Sequence, residues 1–295
     1  MFSHECVKRV LTPGVLLATL AGCAERPDIS QDEIDRIDFS TALAACCADV
    51  EVYPTEFIHV AEATSLWVVP VSRAIHLRDA FLQGQPAAQA HLLAQVRPMD
   101  LVLFANRSRA SGANGLGYFG HSAIYLGGEA DLRALGIWDH PLMVAHQQAI
   151  RDGAVAIESV DEGVHLSSWD DLMEADSAAV LRPQGLSRAE KYDAVLALLS
   201  HMGRPFDEHF DLATDDEIFC TELIYNAFPQ LNLPVRQTYG RQVLWPDEIA
   251  TNALLGKTRY QFIDYVLGSA SGWRAGGKDL MAAKILQAWP DVAAH

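Results

Sequence analysis

The sequence predicts an α+β protein, on three observations. Short β-rich apolar runs cluster in the middle of the chain, segments with helical spacing lie before and after them, and no internal repeat relates the two kinds of segment. Half of the 295 residues are hydrophobic, which places the chain among globular proteins and allows one large domain or two small ones. The formal charge of −16 leaves no basic excess to displace counterions from a nucleic acid or to attract an anionic lipid surface.

The first segment is unlike the rest. Lys8 and Arg9 precede an apolar run from Val10 to Leu20, and the small residues Ala21 and Gly22 lead to Cys23. A basic start, a short apolar run and a small-residue end are the layout of an export signal, too short to span a bilayer. The ending "LAGC" resembles the lipobox of bacterial lipoproteins, which implies that residues 1–22 are removed and that Cys23 is lipidated on its thiol. Ala24, where an aspartate would retain the protein, implies an outer-membrane location facing the periplasm in a Gram-negative cell. An ordinary signal peptide, or a buried helix with an incidental cysteine, is the alternative. Loss of residues 1–22 removes Glu5, Lys8 and Arg9 and leaves 20 basic against 37 acidic groups, a charge of −17. Lipid chains, not charge, would hold such a protein at a membrane.

Residues 23–38 are polar and read as a tether. Residues 39–96 read as a helical N-terminal extension, with apolar positions at helical spacing in "AIHLRDAFL" and "QAHLLAQV" and with Pro54, Pro70 and Pro86 dividing it. Cys46 and Cys47 read as two small apolar residues within a helix, since a bond between neighbours is uncommon. No Cys-x-x-Cys or His-Glu-x-x-His spacing occurs, so neither a metal nor another cofactor is expected.

The character changes at Arg97. "RPMDLVLF", "HSAIYLG", "VAIESV" and "AAVLRP" read as strands, and the first two are separated by the sixteen-residue loop "ANRSRASGANGLGYFG". An insertion over 129–153 holds a short amphipathic helix. Ser187 and Glu190 form a capping box before a helix reaching Met202. Residues 97–268 read as the main domain and 269–295 as a C-terminal helical tail.

"DEIFCTELIYNAF" raises the chemical question. Leu223, Ile224, Ala227, Phe228 and Leu231 mark one helical face, so Cys220 falls in the first turn, where backbone N–H groups and the helix dipole favour a thiolate. A nucleophilic cysteine needs a histidine, and His121 opens a strand directly after the glycine-rich loop. Glu158, an ionisable residue inside the apolar strand run "VAIESV", needs a partner and would orient that imidazole. Glu222 reads as structural, and His165 and the other histidines as surface or satisfied core groups.

With those residues in place, the order "PMD", "GHSAIYLG", "VAIESVDEGV", "FD" and "FCTELIYNAF" resembles the circularly permuted papain-like amidases of the YaeF/YiiX type, related to the NlpC peptidases. The resemblance covers about 97–268. It implies a small antiparallel sheet or barrel packed on the nucleophile helix, with Cys220 as nucleophile, His121 as base and Glu158 as orienting acid. "LWPDEIATN" is similar to the family's turn after the cysteine. Four positions depart from the pattern: Met99 for a glycine, Phe206 and Phe219 for tyrosines, and Thr221 for a serine. The expectation is a membrane-anchored cysteine hydrolase, an amidase or peptidase, whose location points to cell-wall peptide amides. A lipid acyl hydrolase or acyltransferase on the same scaffold, and a non-catalytic envelope lipoprotein, are the alternatives.

Overall fold

A computed structural model of the chain describes residues 29–47, 71–114 and 117–289. The export signal, "LAGC" and Cys23 lie outside the described residues, as do Pro54 and Pro70. Among the described residues no helix is long and apolar enough to cross a membrane.

One antiparallel sheet of seven strands organises the molecule, in the order β4-β3-β2-β1-β5-β8-β9. These strands are β1 (Leu101–Ala105), β2 (His121–Tyr125), β3 (Ala154–Val160), β4 (Gly163–Ser168), β5 (Ser177–Pro183), β8 (Tyr260–Ser269) and β9 (Gly272–Gly276). A two-stranded ribbon, β6 (Arg236–Thr238) with β7 (Arg241–Val243), stands apart. The sheet is larger than the small one implied by the resemblance, because β8 and β9 extend it. The stretch from 269, expected as a helical tail, therefore begins with a strand before its helix.

Alternation along β1 shows how both faces are filled. Leu101, Leu103 and Ala105 belong to one buried cluster, Val102 and Phe104 to the other. Six helices cover these faces or brace them: α1 (Phe39–Ala45), α2 (Pro86–Leu93), α3 (Arg188–Ser200), α4 (Cys220–Ala227), α5 (Pro246–Leu254) and α6 (Lys278–Ala288). Helix α3 starts on the expected capping box of Ser187 and Glu190. The apolar face read on α4 is buried as expected, Leu223, Ile224, Ala227, Phe228 and Leu231 all lying in the larger cluster. Pro229 opens a 3-10 turn directly after α4. The 129–153 insertion forms three short helices in place of one, Glu129–Leu135, Pro141–Val144 and Gln147–Arg151.

Two local readings change. Cys46 and Cys47 are joined by a disulfide, not left as two free small residues in a helix. They sit past the end of α1, where Cys47 takes a positive φ of 63° that a continuing helix would forbid. Met99 adopts φ +79°, the region glycine favours, so the turn that a family glycine would make is formed by a methionine whose side chain is buried. Its amide donates to the Tyr125 carbonyl, and the next residue, Asp100, accepts a two-pronged bond from Arg182 of β5.

Candidate active site

Cys220 is the first residue of α4, after an extended Phe219 that provides no side-chain cap. Among the described residues no backbone acceptor receives the Cys220 N–H, so it points out of the helix start. Cys220 is 5% exposed and borders a cleft of about 400 Å³.

His121 is the first residue of β2 and also lines the cleft. Its ring stacks on Phe104 of β1, with centroids 6.0 Å apart, which fixes the plane of the imidazole. Nε2 lies 2.5 Å from Oε2 of Glu158 on the neighbouring strand, leaving Nδ1 as the nitrogen available to the sulfur. The other Glu158 oxygen accepts from the Ser167 hydroxyl, and His165, paired with Glu158 across β3 and β4, stands 3.7 Å from it. The structure thus brings Cys220, His121 and Glu158 into one continuous array at one end of the sheet.

Electrostatics couples the three groups. Burial alone would raise the Cys220 thiol, but hydrogen bonding and charge from His121, with help from Ser122, outweigh it and hold the thiol below its ordinary value. Burial would lower His121, yet its bonds to Cys220 and Glu158 and their charges push it up to about 10. Burial would raise Glu158, and the His121 bond and charge, Ser167 and His165 bring it below the usual carboxylate range. The shifts of Cys220 and His121 run in opposite directions and so favour transfer of the thiol proton to the imidazole, with the Glu158 carboxylate behind it; the protons belong to the set more than to any one residue.

The cleft walls are mostly apolar: Phe119, Phe210, Phe219, Val243, Leu244 and Trp245 contribute to them. Two arginines also reach the cleft and both are engaged. Arg73 forms a two-pronged pair with Glu208, a further pair with Asp161, and lies over the Phe206 ring at 5.1 Å. Arg109 bonds the Arg73 carbonyl and lies 3.4 Å from Glu174. Residues before Arg97 therefore contribute a wall to the site, although sequence patterning placed no chemistry there.

Departures from the family pattern acquire reasons here. Phe206 offers a ring to Arg73 and to Phe210, a role that needs no hydroxyl. Thr221 keeps a hydroxyl at this position, which donates to the Leu244 carbonyl at 2.6 Å. Sequence reasoning missed Ser167, His165 as a neighbour of Glu158, and Ser122. No local signal marks the first two, because their place beside Glu158 depends on how β4 registers on β3.

With this geometry in view, the chain can be compared with known proteins. Residues 95–264 match the model of the permuted papain-like amidase enzymes, YaeF/YiiX, C92 family. No curated protein matches the chain. A solved structure described as metalloprotein yiiX from Escherichia coli O157:H7 is similar over 52% of this chain and 92% of that one, at 15% identity and a TM-score of 0.39. Among the described residues of the present chain, no three His, Cys, Asp or Glu side chains gather where they could hold one ion.

Proposed function

From the premise that the chain belongs to the permuted papain-like amidases of the YaeF/YiiX, C92 family, we propose that it hydrolyses an amide bond with Cys220 as nucleophile, His121 as acid–base and Glu158 as orienting acid. The observation that carries this reading is the array itself, a thiol lowered and an imidazole raised by one another at a helix start that opens into a cleft.

In this reading the Cys220 thiolate adds to the amide carbon, and the carbonyl oxygen takes up negative charge. The Cys220 N–H at the start of α4 points outward and can donate to that oxygen. Collapse of the adduct breaks the C–N bond, and the His121 imidazolium gives its proton to the departing amine. Neutral imidazole then takes a proton from water as its oxygen adds to the thioester, and the acid leaves with regeneration of thiolate and imidazolium. Glu158 keeps Nε2 occupied throughout, so that Nδ1 faces the sulfur.

The apolar walls favour a substrate with an uncharged, apolar group beside the scissile bond. The same observation supports a second reading, an acyl ester or lipid acyl amide on the same machinery. Activity on cell-wall peptides compared with acyl esters separates the two. Cys220→Ala and His121→Ala should each abolish turnover of whichever is cleaved, by about 10⁴-fold or more. Full activity in either variant removes the assignment, and the absence of any Cys220-dependent turnover favours a non-catalytic binding protein.

Anchoring at the cell envelope through a lipidated Cys23 belongs to the proposal, on the strength of "LAGC" after a basic and apolar start. Cys23→Ser should abolish fatty-acid labelling and release the protein from membranes; unchanged membrane association would remove the anchor.

A further inference from the structure

Cys220 and His121 sit on elements far apart in the chain, and their separation must be held by something other than their own contact. Two buried polar links span the gap. On the cysteine side, Thr221, the next residue of α4, donates its hydroxyl to the Leu244 carbonyl at 2.6 Å. Three residues after Leu244 comes Asp247, 1% exposed in the first turn of α5.

Asp247 closes the path on the histidine side. Its Oδ2 accepts the Tyr118 N–H at 2.6 Å and its Oδ1 the Phe119 N–H at 2.8 Å. Oδ2 also accepts the indole N–H of Trp289 at 2.6 Å, a residue just past the end of α6. Phe119 is followed by Gly120, whose N–H bonds the Phe104 carbonyl at 3.0 Å, and then by His121. Gly117 completes the enclosure. Its φ is +83°, and a Cβ there would stand 2.5 Å from the Asp247 Oδ2 and 3.2 Å from the Trp289 ring.

We propose that Thr221 and Asp247 are positioning residues, a polar relay that sets the distance between the Cys220 helix and the strand entry bearing His121. The relay rests on the reading of Cys220 and His121 as nucleophile and base. It also makes Trp289, outside the stretch that matches the family, a brace of the same loop. An aspartate is required because one carboxylate accepts three N–H groups. An asparagine has one oxygen, and turning it toward Phe119 would set its amide against the Tyr118 and Trp289 donors. Burial pushes Asp247 up to about 6 despite those three bonds, which shows how closed the knot is.

The test is the pH profile of Cys220 alkylation by iodoacetamide in the full chain, with thermal unfolding measured alongside. Asp247→Asn should shift the acid-side inflection upward and lower the neutral-pH rate by about 10- to 100-fold, as expected when reacting groups move by up to about an ångström. Thr221→Val should shift the inflection in the same direction by less, and Thr221→Ser should restore it. Should Asp247→Asn fail to fold, the Thr221→Val and Thr221→Ser pair decides alone. A low wild-type inflection that both folded variants leave in place, even with lowered melting temperatures, would overturn the relay and leave plain structural support. A wild-type inflection at the ordinary thiol value that His121→Ala does not move would instead overturn the underlying pairing, and the relay with it.

Discussion

Glu158 and Glu222 are both buried and both close to Cys220, yet their surroundings take them in opposite directions. Glu158 is penalised by burial but lies against His121, Ser167 and His165, and ends below its ordinary value. Glu222 sits two residues after Cys220 on α4, where burial dominates. Asn226 is a distant donor at 3.5 Å, Oε2 has no hydrogen-bond partner among the described residues, and the carboxyl is pushed up to about 7. Burial alone therefore does not decide which way a carboxyl is shifted. What distinguishes Glu158 is the His121 imidazole beside it, which is itself coupled to Cys220.

The largest expected effect breaks the Glu158 side of this contrast. Glu158→Gln keeps the shape and removes the charge that stabilises the imidazolium. Activity on the cleaved substrate should fall by about 10²- to 10⁴-fold, less than in Cys220→Ala, because thiolate and oxyanion donor remain. A weaker imidazolium holds the thiolate less well, so the acid-side inflection of Cys220 alkylation should move to higher pH. Superimposable profiles would make Glu158 a structural carboxylate.

A smaller effect sharpens the Glu222 side. Its pKa is raised on folding, so the folded state binds the proton more tightly than the unfolded one. Its contribution to stability is most favourable below about pH 4.5 and is lost as pH rises through about 7. Glu222→Gln should remove that dependence. Relative to wild type, the variant should gain about 1–3 kcal/mol between pH 5 and pH 8 in denaturant unfolding. A constant difference across that range would show that Glu222 is solvated or paired in solution. The alkylation inflection should hardly move.

The smallest effect concerns Met99, a backbone contrast in place of an electrostatic one. Met99→Ala and Met99→Gly both lose a buried side chain and both should destabilise. At φ +79° the alanine retains the strain that glycine lacks, so Met99→Gly should be the more stable of the two by about 1 kcal/mol. The reverse order, normal for a position with negative φ, would mean that the turn relaxes.

The sequence by itself determined what depends on neighbours in the chain. The apolar face of α4, the capping box of α3, the strand runs around His121 and Glu158 and the placing of Cys220 at a helix start all follow from spacing within a dozen residues. Tertiary structure alone decided the rest. The pairing of Glu158 with Ser167 and His165 depends on the register of β4 on β3, and a one-residue slip would turn both away. Strands β8 and β9 form where β5 offers a free edge to "YQFIDYVLGS", a run in the main domain that sequence patterning did not mark as a strand. Asp247 was visible as part of a motif, but its role was not, since its three donors come from residues 118, 119 and 289. Local sequence fixes which groups an element presents. Which of them meet is set by packing between elements distant in the chain, where one buried carboxyl can collect donors that no window of sequence contains.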